Sequence, residues 1–191
     1  HLNSISGGTD VVGCLVLGNI FSDVHAGEIQ GESLGIDVDI FNEKGESVGA
    51  NHKGELVIKN PFPTMPIKFW NDVNNKKLKK AYFSKYKNIW YHGDFIQKTQ
   101  NGGFIMLGRS DTTLNPGGVR MGTAEIYRQV ENIEFVRESL AVGQNWKDDV
   151  RIILFVVMET KKKLGVKEIN FIKSKIKDNC SPKHVPHKVI E

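Results

Sequence analysis

Three times between Trp90 and Gln129, an apolar, strand-like segment runs directly into polar or charged residues. The charged residues at these ends are Asp94, Arg109 and Arg120. A carboxylate can accept hydrogen bonds from the paired hydroxyls of a ribose, and guanidinium groups can bind phosphate oxygens through planar, two-pronged contacts. The glycines of the same stretch allow a backbone to approach a ligand closely. The pattern therefore predicts a nucleotide-binding site where strands, loops and a helix meet.

The first part of the chain has the pattern of short strands separated by turns. In residues 35–41 apolar and polar side chains alternate, as in a strand with one buried face. We expect Ile36, Val38 and Ile40 on the buried face and Asp37 and Asp39 in solvent on the other.

After residue 110 the pattern changes to strand, helix, strand, strand, helix. The first helix is predicted to begin with Thr123 as its N-cap, because a threonine hydroxyl can accept a bond from a backbone N–H of the first turn. The second helix, predicted over residues 167–177, is amphipathic, with Ile169, Ile172 and Ile176 toward the core.

These patterns define the fold class. A chain of 191 residues can hold one large domain or two small ones. We predict a mixed α/β protein, in which residues 1–110 are β-rich and residues 111–191 form a small α+β part.

Composition and charge exclude several classes of function. No apolar run is long enough to span a bilayer, so no membrane partner is predicted. Residues 161–191 hold 9 lysines and 3 acidic residues, a basic segment that could bind a nucleotide phosphate or form a solvated helix face. It lacks the aromatic residues and recognition-helix pattern of nucleic-acid binding, which is not predicted. Cys14 and Cys180 are too few for a disulfide scaffold, which favours a reducing compartment, the cytosol.

Four motifs together carry a resemblance that none of them would carry alone. In chain order they are Gly8-Thr9-Asp10, Gly93-Asp94, Gly108-Arg109-Ser110-Asp111 and Gly118-Val119-Arg120 with the following Glu125-Ile126. The chain resembles the adenylate-forming acyl-CoA synthetases over essentially its whole length. Within that family, the spelling of residues 4–10 and 108–120 looks closest to the members that use acetoacetate.

The resemblance implies a fold and a reaction. Residues 1–110 would be the strand-rich end of a large adenylate-forming domain, and residues 111–191 a small mobile C-terminal domain, truncated before its end. A carboxylate would attack the α-phosphate of ATP to give an acyl-adenylate and pyrophosphate. The thiol of coenzyme A would then attack the acyl carbon and release AMP. The implied substrates are acetoacetate, ATP and coenzyme A, with Mg²⁺ as cofactor.

For the first part of the chain, the resemblance assigns residues to the nucleotide. Gly8 and Thr9 would contact the phosphates, with Thr9 at the α-phosphate. Asp10 matches the acidic position that helps to hold Mg²⁺, although most relatives have glutamate there. Asp94 would accept both ribose hydroxyls. His92 is interpreted as a packing residue near the nucleotide and not as a general base.

For the second part, the resemblance assigns a ribose contact, a hinge and a loop. Arg109 would bond the ribose, and Asp111 aligns with the hinge about which the small domain turns between the two half-reactions. Arg120 would lie near the phosphate or adenylate, and Gly118 matches a glycine along the pantetheine tunnel. The alternative is that both arginines form surface ion pairs, which explains the combined spacings poorly.

Gly7 carries a hypothesis about the acyl group. Members of the family that use acetate have a tryptophan three residues before the acidic residue, where this chain has Gly7. Replacing an indole by hydrogen opens volume in a packed wall, and interiors leave few such voids empty. We expect a longer acyl group, such as acetoacetate.

Two family motifs do not occur within these residues. One is a glycine-rich loop that holds the β- and γ-phosphates, and the other is a Ser-Gly-Lys motif that reaches the adenylate-forming centre. We therefore expect a fragment that is inactive and aggregation-prone by itself and whose missing partner is the remainder of its own chain. Alternatives are a synthetase for another short acid, an adenylation domain that serves a carrier protein, or a non-catalytic nucleotide-binding module.

Overall fold

The computed structural model describes residues 2–147, 149–160 and 162–191. The chain divides into two compact units, His1–Met106 and Leu107–Glu191. Both contain sheets and helices, so the predicted mixed α/β class is confirmed. The predicted division at residues 110 and 111 concerns the domains of a longer protein and stays a prediction.

The first unit contains two sheets and one α-helix. The antiparallel three-stranded sheet has the order β1-β2-β3, with β1 (Ser6–Gly8), β2 (Gly13–Leu17) and β3 (Gly31–Glu32). The four-stranded sheet has the order β4-β5-β6-β7, with β4 (Val38–Phe41), β5 (Lys53–Ile58), β6 (Trp90–Lys98) and β7 (Phe104–Arg109). The helix α1 (Lys76–Tyr82) precedes β6, and 3₁₀ helices span Thr9–Val11 and Val73–Asn75.

The alternation of residues 35–41 has the predicted outcome except at Asp39. Val38 and Ile40 are buried in the core of the first unit, Ile36 is partly buried against it, and Asp37 is exposed. Asp39 was expected in solvent, and this expectation is wrong, because its side chain is only 16% exposed. The Lys59 ammonium lies 3.2 Å from its carboxylate, and the Ser47 hydroxyl donates a hydrogen bond of 2.9 Å to it. The hydrogen bond with Asp39 is the main cause of the raised pKa of Lys59.

A largely buried ion pair lies on β5, one of the two inner strands of the four-stranded sheet. Glu55 on β5 is fully buried, and the Lys85 ammonium donates a hydrogen bond of 2.7 Å to its carboxylate. Burial lowers the pKa of Lys85, but the hydrogen bond and the charge of Glu55 outweigh it and raise the pKa overall. The stabilisation from this lysine is therefore complete below its ordinary pKa of 10.5 and is lost as the pH rises through the raised value.

We expect Lys85→Met to destabilise the protein by about 3 kcal/mol, the low end of the cost of breaking a buried ion pair, because Lys85 remains partly exposed. The change leaves the Glu55 carboxylate in the sheet without its lysine. Urea unfolding followed by tryptophan fluorescence measures the effect. Lys87→Met, the same change at an exposed neighbour, is the matched control. Equal unfolding midpoints for the two variants would contradict the prediction.

The second unit packs two helices with a three-stranded sheet of order β10-β9-β8. The strands β8 (Val136–Trp146) and β9 (Asp149–Met158) are antiparallel, and β10 (Lys188–Ile190) is parallel to β9. The helices are α2 (Thr123–Val130) and α3 (Val166–Asn179), and 3₁₀ helices span Ser110–Thr112, Pro116–Gly118 and Pro182–His184.

Helix α3 confirms the amphipathic pattern, since Ile172 and Ile176 are fully buried in the core of this unit and Ile169 is partly buried against it. The predicted start of α2 is wrong by one residue. Its N-cap is Gly122, whose N–H donates to the Glu125 carboxylate at 2.9 Å, and Thr123 is the first helical residue. Glycine is required there because a Cβ at Gly122 would overlap the carbonyl oxygen of Leu107.

The first unit exposes many large apolar side chains. They are Leu2, Ile5, Val12, Ile20, Phe21, Val24, Leu34, Ile67, Trp70 and Val73. Exposed apolar surface of this extent is the physical basis of the predicted tendency to aggregate, which stays a prediction. In the described part of the chain, no helix combines the length and apolar composition that crossing a membrane requires.

Candidate functional site

The predicted phosphate-binding turn begins on β1 at Gly7 and Gly8, which are both closely packed. Gly7 pairs with Cys14 and Gly8 with Gly13 of β2. A Cβ at Gly7 would overlap the carbonyl oxygen of Gly13, and a Cβ at Gly8 would lie 2.9 Å from Cε1 of His92. Both positions therefore require glycine for close approach, independently of any ligand.

This geometry corrects the physical reason that we gave for Gly7. The direction in which a side chain would leave Gly7 points at the backbone of β2 and not into open volume. A tryptophan at this position would not simply fill a pocket, because its Cβ would first displace the neighbouring strand. The expectation of an open volume at Gly7 is therefore wrong, and the assignment of Gly7 to the substrate pocket stays a prediction.

His92 is the centre of a buried hydrogen-bonded cluster. The indole N–H of Trp90 donates to Nδ1 of His92 at 3.2 Å, and Nε2 of His92 lies 3.2 Å from the carbonyl oxygen of Gly7. An indole N–H can only donate and a carbonyl can only accept. His92 is therefore neutral in this arrangement, with its proton on Nε2, which donates to Gly7.

Asp94 is brought close to this cluster. His92 and Asp94 flank Gly93 on β6, where the pairing with β5 shifts register and Gly93 has a φ of +84°. Asp94 is 7% exposed, and its Oδ2 lies 3.7 Å from Nε2 of His92. The interpretation of His92 as a packing residue was incomplete, because its ring connects the end of β1, through Gly7, with the predicted ribose ligand.

Thr9 and Asp10 follow β1 in a 3₁₀ helix and are both exposed. The Tyr82 hydroxyl at the end of α1 donates a hydrogen bond to the Asp10 carboxylate. The Tyr82 ring stacks on Trp90, with a centroid distance of 3.7 Å. Sequence reasoning missed Tyr82, because nothing in the sequence relates it to Asp10, which is 72 residues away.

Asp10 fits a magnesium ion only as a partial ligand. Among the described residues, no group of three or more histidine, cysteine, aspartate or glutamate side chains could hold a metal ion. Mg²⁺ in nucleotide sites is commonly held by one or two carboxylates together with substrate phosphates and water. The exposed carboxylate of Asp10 suits that arrangement, in which the phosphates supply the other ligands.

Strand β7 extends into the second unit, where Arg109 is its last residue and Asp111 lies in the 3₁₀ helix that follows. The Arg109 Nε lies 3.6 Å from the Asp111 carboxylate, and both side chains are more than half exposed. The hydroxyls of Thr112 and Thr113 donate to the carbonyl oxygen of Arg109 at 3.0 and 3.3 Å. An exposed ion pair contributes less than about 1 kcal/mol. The backbone of this turn is therefore held by the threonines, and the charged side chains stay accessible to a ligand.

Arg109 and Asp111 also border a cleft of about 580 Å³ within the second unit. Its lining includes the polar Thr112, Thr113 and Asn115 and the apolar Leu114, Leu140 and Val142. A cleft of this size with apolar walls and a few polar groups is typical of small-molecule sites.

Gly118 and Arg120 belong to a hairpin that we call the 115–120 loop. Its base is closed by two backbone hydrogen bonds of 2.9 Å between Leu114 and Met121. At its tip, Gly117 and Gly118 have φ angles of +57° and +74°, in the left-handed region that favours glycine. No atom lies within 4 Å of a Cβ built at Gly118, so the loop presents bare backbone there.

The predicted site residues thus fall into two groups. Gly7, Gly8 and Asp94 meet around His92 in the first unit, where Thr9 and Asp10 directly follow β1. The members of the second unit are Arg109, Asp111, Gly118 and Arg120. The gathering of Asp94, Arg109 and Arg120 around one nucleotide stays a prediction.

No family model matches the chain. Two solved CoA ligases share its fold at low sequence identity. An anthranilate CoA ligase in complex with anthranoyl-AMP has a TM-score of 0.82 and 16% identity, covering 98% of this chain and 35% of that one. A benzoate CoA ligase from Burkholderia xenovorans LB400 has a TM-score of 0.79 and 22% identity, covering 98% and 36%. The chain therefore has the fold of the corresponding part of adenylate-forming CoA ligases, as the motifs implied.

Other proteins are more similar in sequence to this chain, and they are acetoacetyl-CoA synthetases. The structure of acetoacetyl-CoA synthetase from Streptomyces lividans matches with a TM-score of 0.92 and 41% identity, covering 99% of this chain and 28% of that one. The acetoacetyl-CoA synthetases of Rhizobium meliloti and Xenopus tropicalis are 52% and 45% identical over 190 and 192 residues. The chain is homologous to acetoacetyl-CoA synthetases along its whole length. It spans 29% and 28% of the length of these two curated relatives.

Proposed function

We propose that this chain is part of an ATP-dependent, AMP-forming acid–thiol ligase that makes acetoacetyl-CoA. The carboxylate oxygen of acetoacetate attacks the α-phosphorus of ATP, and pyrophosphate leaves. The sulfur of coenzyme A then attacks the acyl carbon, the thiol proton is lost, and AMP leaves. The observation that carries the proposal is the similarity to acetoacetyl-CoA synthetases across all 191 residues, at 52% identity to one relative.

In the first unit, the residues around His92 are proposed to bind the adenosine and the phosphates. Asp94 accepts hydrogen bonds from the two ribose hydroxyls, and the donation from His92 to Gly7 holds the end of β1 beside it. Gly8 and Thr9 then meet the phosphates, with Thr9 at the α-phosphate. Asp10, oriented by Tyr82, supplies one carboxylate ligand to Mg²⁺. The metal ion, when bound, neutralises phosphate charge as pyrophosphate departs.

In the second unit, Arg109 is proposed to bond the ribose, and Asp111 to be the hinge between the two half-reactions. Arg120 places its guanidinium near the phosphate or adenylate, where it stabilises negative charge that develops during transfer. Gly118 lines the passage of the pantetheine chain, where its lack of a side chain leaves room. We propose the cytosol as the compartment, in line with the reducing chemistry that two isolated cysteines favour.

Two activity assays test the function on the protein in its full natural length. Pyrophosphate release is measured with ATP, Mg²⁺ and either acetoacetate, acetate or butyrate, and acyl-CoA formation is measured after coenzyme A is added. We expect pyrophosphate release to depend on acetoacetate, with little release from acetate. Acetoacetyl-CoA and AMP should appear in equal amounts.

Three other results would each contradict a different part of the proposed function. A preference for acetate or butyrate would overturn the acyl substrate while retaining the ligase class. Pyrophosphate release without transfer to free coenzyme A would favour a carrier protein as the acceptor. No release with any carboxylic acid, from protein that binds AMP, would favour a non-catalytic nucleotide-binding module.

A further inference from the structure

At the tip of the 115–120 loop, two side chains from elsewhere in the second unit bind the backbone N–H and the backbone C=O of Gly117. The Gly117 N–H donates a hydrogen bond of 2.8 Å to Oδ1 of Asp149, at the start of β9. The Lys183 ammonium donates a hydrogen bond of 3.1 Å to the carbonyl oxygen of Gly117. Lys183 comes from the 3₁₀ helix Pro182–His184. The Asp149 and Lys183 side chains are far from the loop in sequence, and together they bind both backbone polar groups of Gly117.

The charges of the two side chains support the same geometry. The hydrogen bond from the Gly117 N–H is the largest cause of the lowered pKa of Asp149, and the positive charge of Lys183 contributes to it. The stabilisation that this carboxylate supplies is present above its ordinary pKa of 3.8 and is lost as the pH falls through the lowered value. At neutral pH the Asp149 carboxylate is therefore ionised and accepts the hydrogen bond from the Gly117 N–H.

We propose that Asp149 and Lys183 are positioning residues. They hold the two peptide groups on either side of the Gly117 Cα and thereby set the conformation of the loop that carries Gly118 and Arg120. The proposal rests on the proposed function, because it assigns importance to the loop through the roles of Gly118 and Arg120. It adds two residues that the motifs do not contain.

The positive φ angles explain why a loop of this kind needs two such contacts. Glycine at Gly117 and Gly118 loses more backbone freedom on ordering than any other residue would. The hydrogen bonds at the base, between Leu114 and Met121, do not reach the tip, which has one long backbone hydrogen bond of its own, 3.3 Å from the Val119 N–H to the carbonyl oxygen of Pro116. Without Asp149 and Lys183 the tip can adopt other conformations, and Gly118 and Arg120 are then placed correctly for only part of the time.

The first test measures the two half-reactions separately in the full-length protein. Asp149→Ala is expected to slow transfer from preformed acyl-adenylate to coenzyme A about tenfold, the effect of losing one hydrogen bond to a charged group. Adenylate formation, measured as pyrophosphate exchange, should change less than about twofold. Asp149→Asn retains an oxygen that can accept from the Gly117 N–H, and it should recover most of the transfer rate. Lys183→Met should slow transfer in the same direction.

Two variants on α3 provide matched controls. Lys175→Met also removes a lysine that bonds a backbone carbonyl, that of Asn132, away from the loop. Asp178→Ala removes a carboxylate that accepts a hydrogen bond from Ser174. Neither control should change the ratio of the two half-reaction rates.

A second readout does not depend on activity. Amide hydrogen exchange of a peptide that covers residues 114–121 should be faster in Asp149→Ala and Lys183→Met than in the controls. In Asp149→Ala the Gly117 N–H loses its acceptor, and in Lys183→Met the tip of the loop becomes less ordered. If the wild-type protein is an active ligase and both the exchange rate and the half-reaction ratio are unchanged in the variants, the positioning proposal is wrong. If the wild-type protein makes no acyl-CoA, the proposed function fails, and the exchange result still decides whether Asp149 and Lys183 hold the loop.

Discussion

Asp94→Asn is expected to lower kcat/KM for acetoacetate-dependent pyrophosphate release at least about 100-fold in the full-length protein. Two ribose hydroxyls each need an acceptor, and a hydrogen bond to a charged group contributes about 1.5–3 kcal/mol. The asparagine amide keeps one oxygen but replaces the other with a donor, and it removes the negative charge. Since the two side chains have nearly the same shape, the 7% exposed site should remain packed. Binding of AMP, measured by calorimetry, should weaken in parallel.

Asp39→Asn is the matched control for that experiment. Asp39 is also a largely shielded carboxylate in the first unit, but its partners are Lys59 and Ser47. The control variant should retain nucleotide binding. If Asp94→Asn kept both its AMP affinity and its rate within threefold of wild type, Asp94 would not be the ribose ligand, and the nucleotide site would have to lie elsewhere.

The second large effect is expected from Gly7→Ala, which should destabilise the protein by roughly 3 kcal/mol or more, beyond ordinary overpacking of a core. The added methyl group would overlap the Gly13 carbonyl oxygen, which is backbone and cannot rotate away. The strand pairing of β1 with β2 would have to open. His92 would then lose its acceptor on Gly7, so Asp94 would lose an ordered neighbour. The midpoint of urea unfolding and the affinity for AMP measure these two consequences.

Gly49→Ala is the matched control, because no atom lies within 4 Å of a Cβ built at Gly49. Its stability should stay within about 0.5 kcal/mol of wild type, as for most surface substitutions. A stable, AMP-binding Gly7→Ala protein would show that β2 yields at this point, and it would restore the hypothesis of an open pocket at Gly7. Until then, a Gly7→Trp exchange cannot separate substrate preference from damage to the sheet.

Local patterns in the sequence predicted much of the fold correctly. The spacing of Ile172 and Ile176 was enough to predict the buried face of α3, because a helix repeats every 3.6 residues whatever surrounds it. Alternation was enough to bury Val38 and Ile40. The same reasoning was wrong for Asp39, since Lys59 directly follows β5, the strand paired with β4, and lies beside the Asp39 carboxylate. Thr123 was misplaced as an N-cap because Gly122 has the extended backbone of the cap and Thr123 is already helical.

The motif residues were recognisable in the linear chain, since each motif is a few consecutive residues whose chemical types and order carry the resemblance. The groups that orient them were not. His92 meets Gly7 across 85 residues, Tyr82 meets Asp10 across 72, and Lys183 meets Gly117 across 66. Periodicity and short motifs report only on neighbours along the chain, whereas these hydrogen bonds depend on how strands and helices pack. The linear order of residues thus led to the side chains that we propose as ligands of the substrates, and folding selected the partners that hold them, because such contacts exist only once distant segments lie side by side.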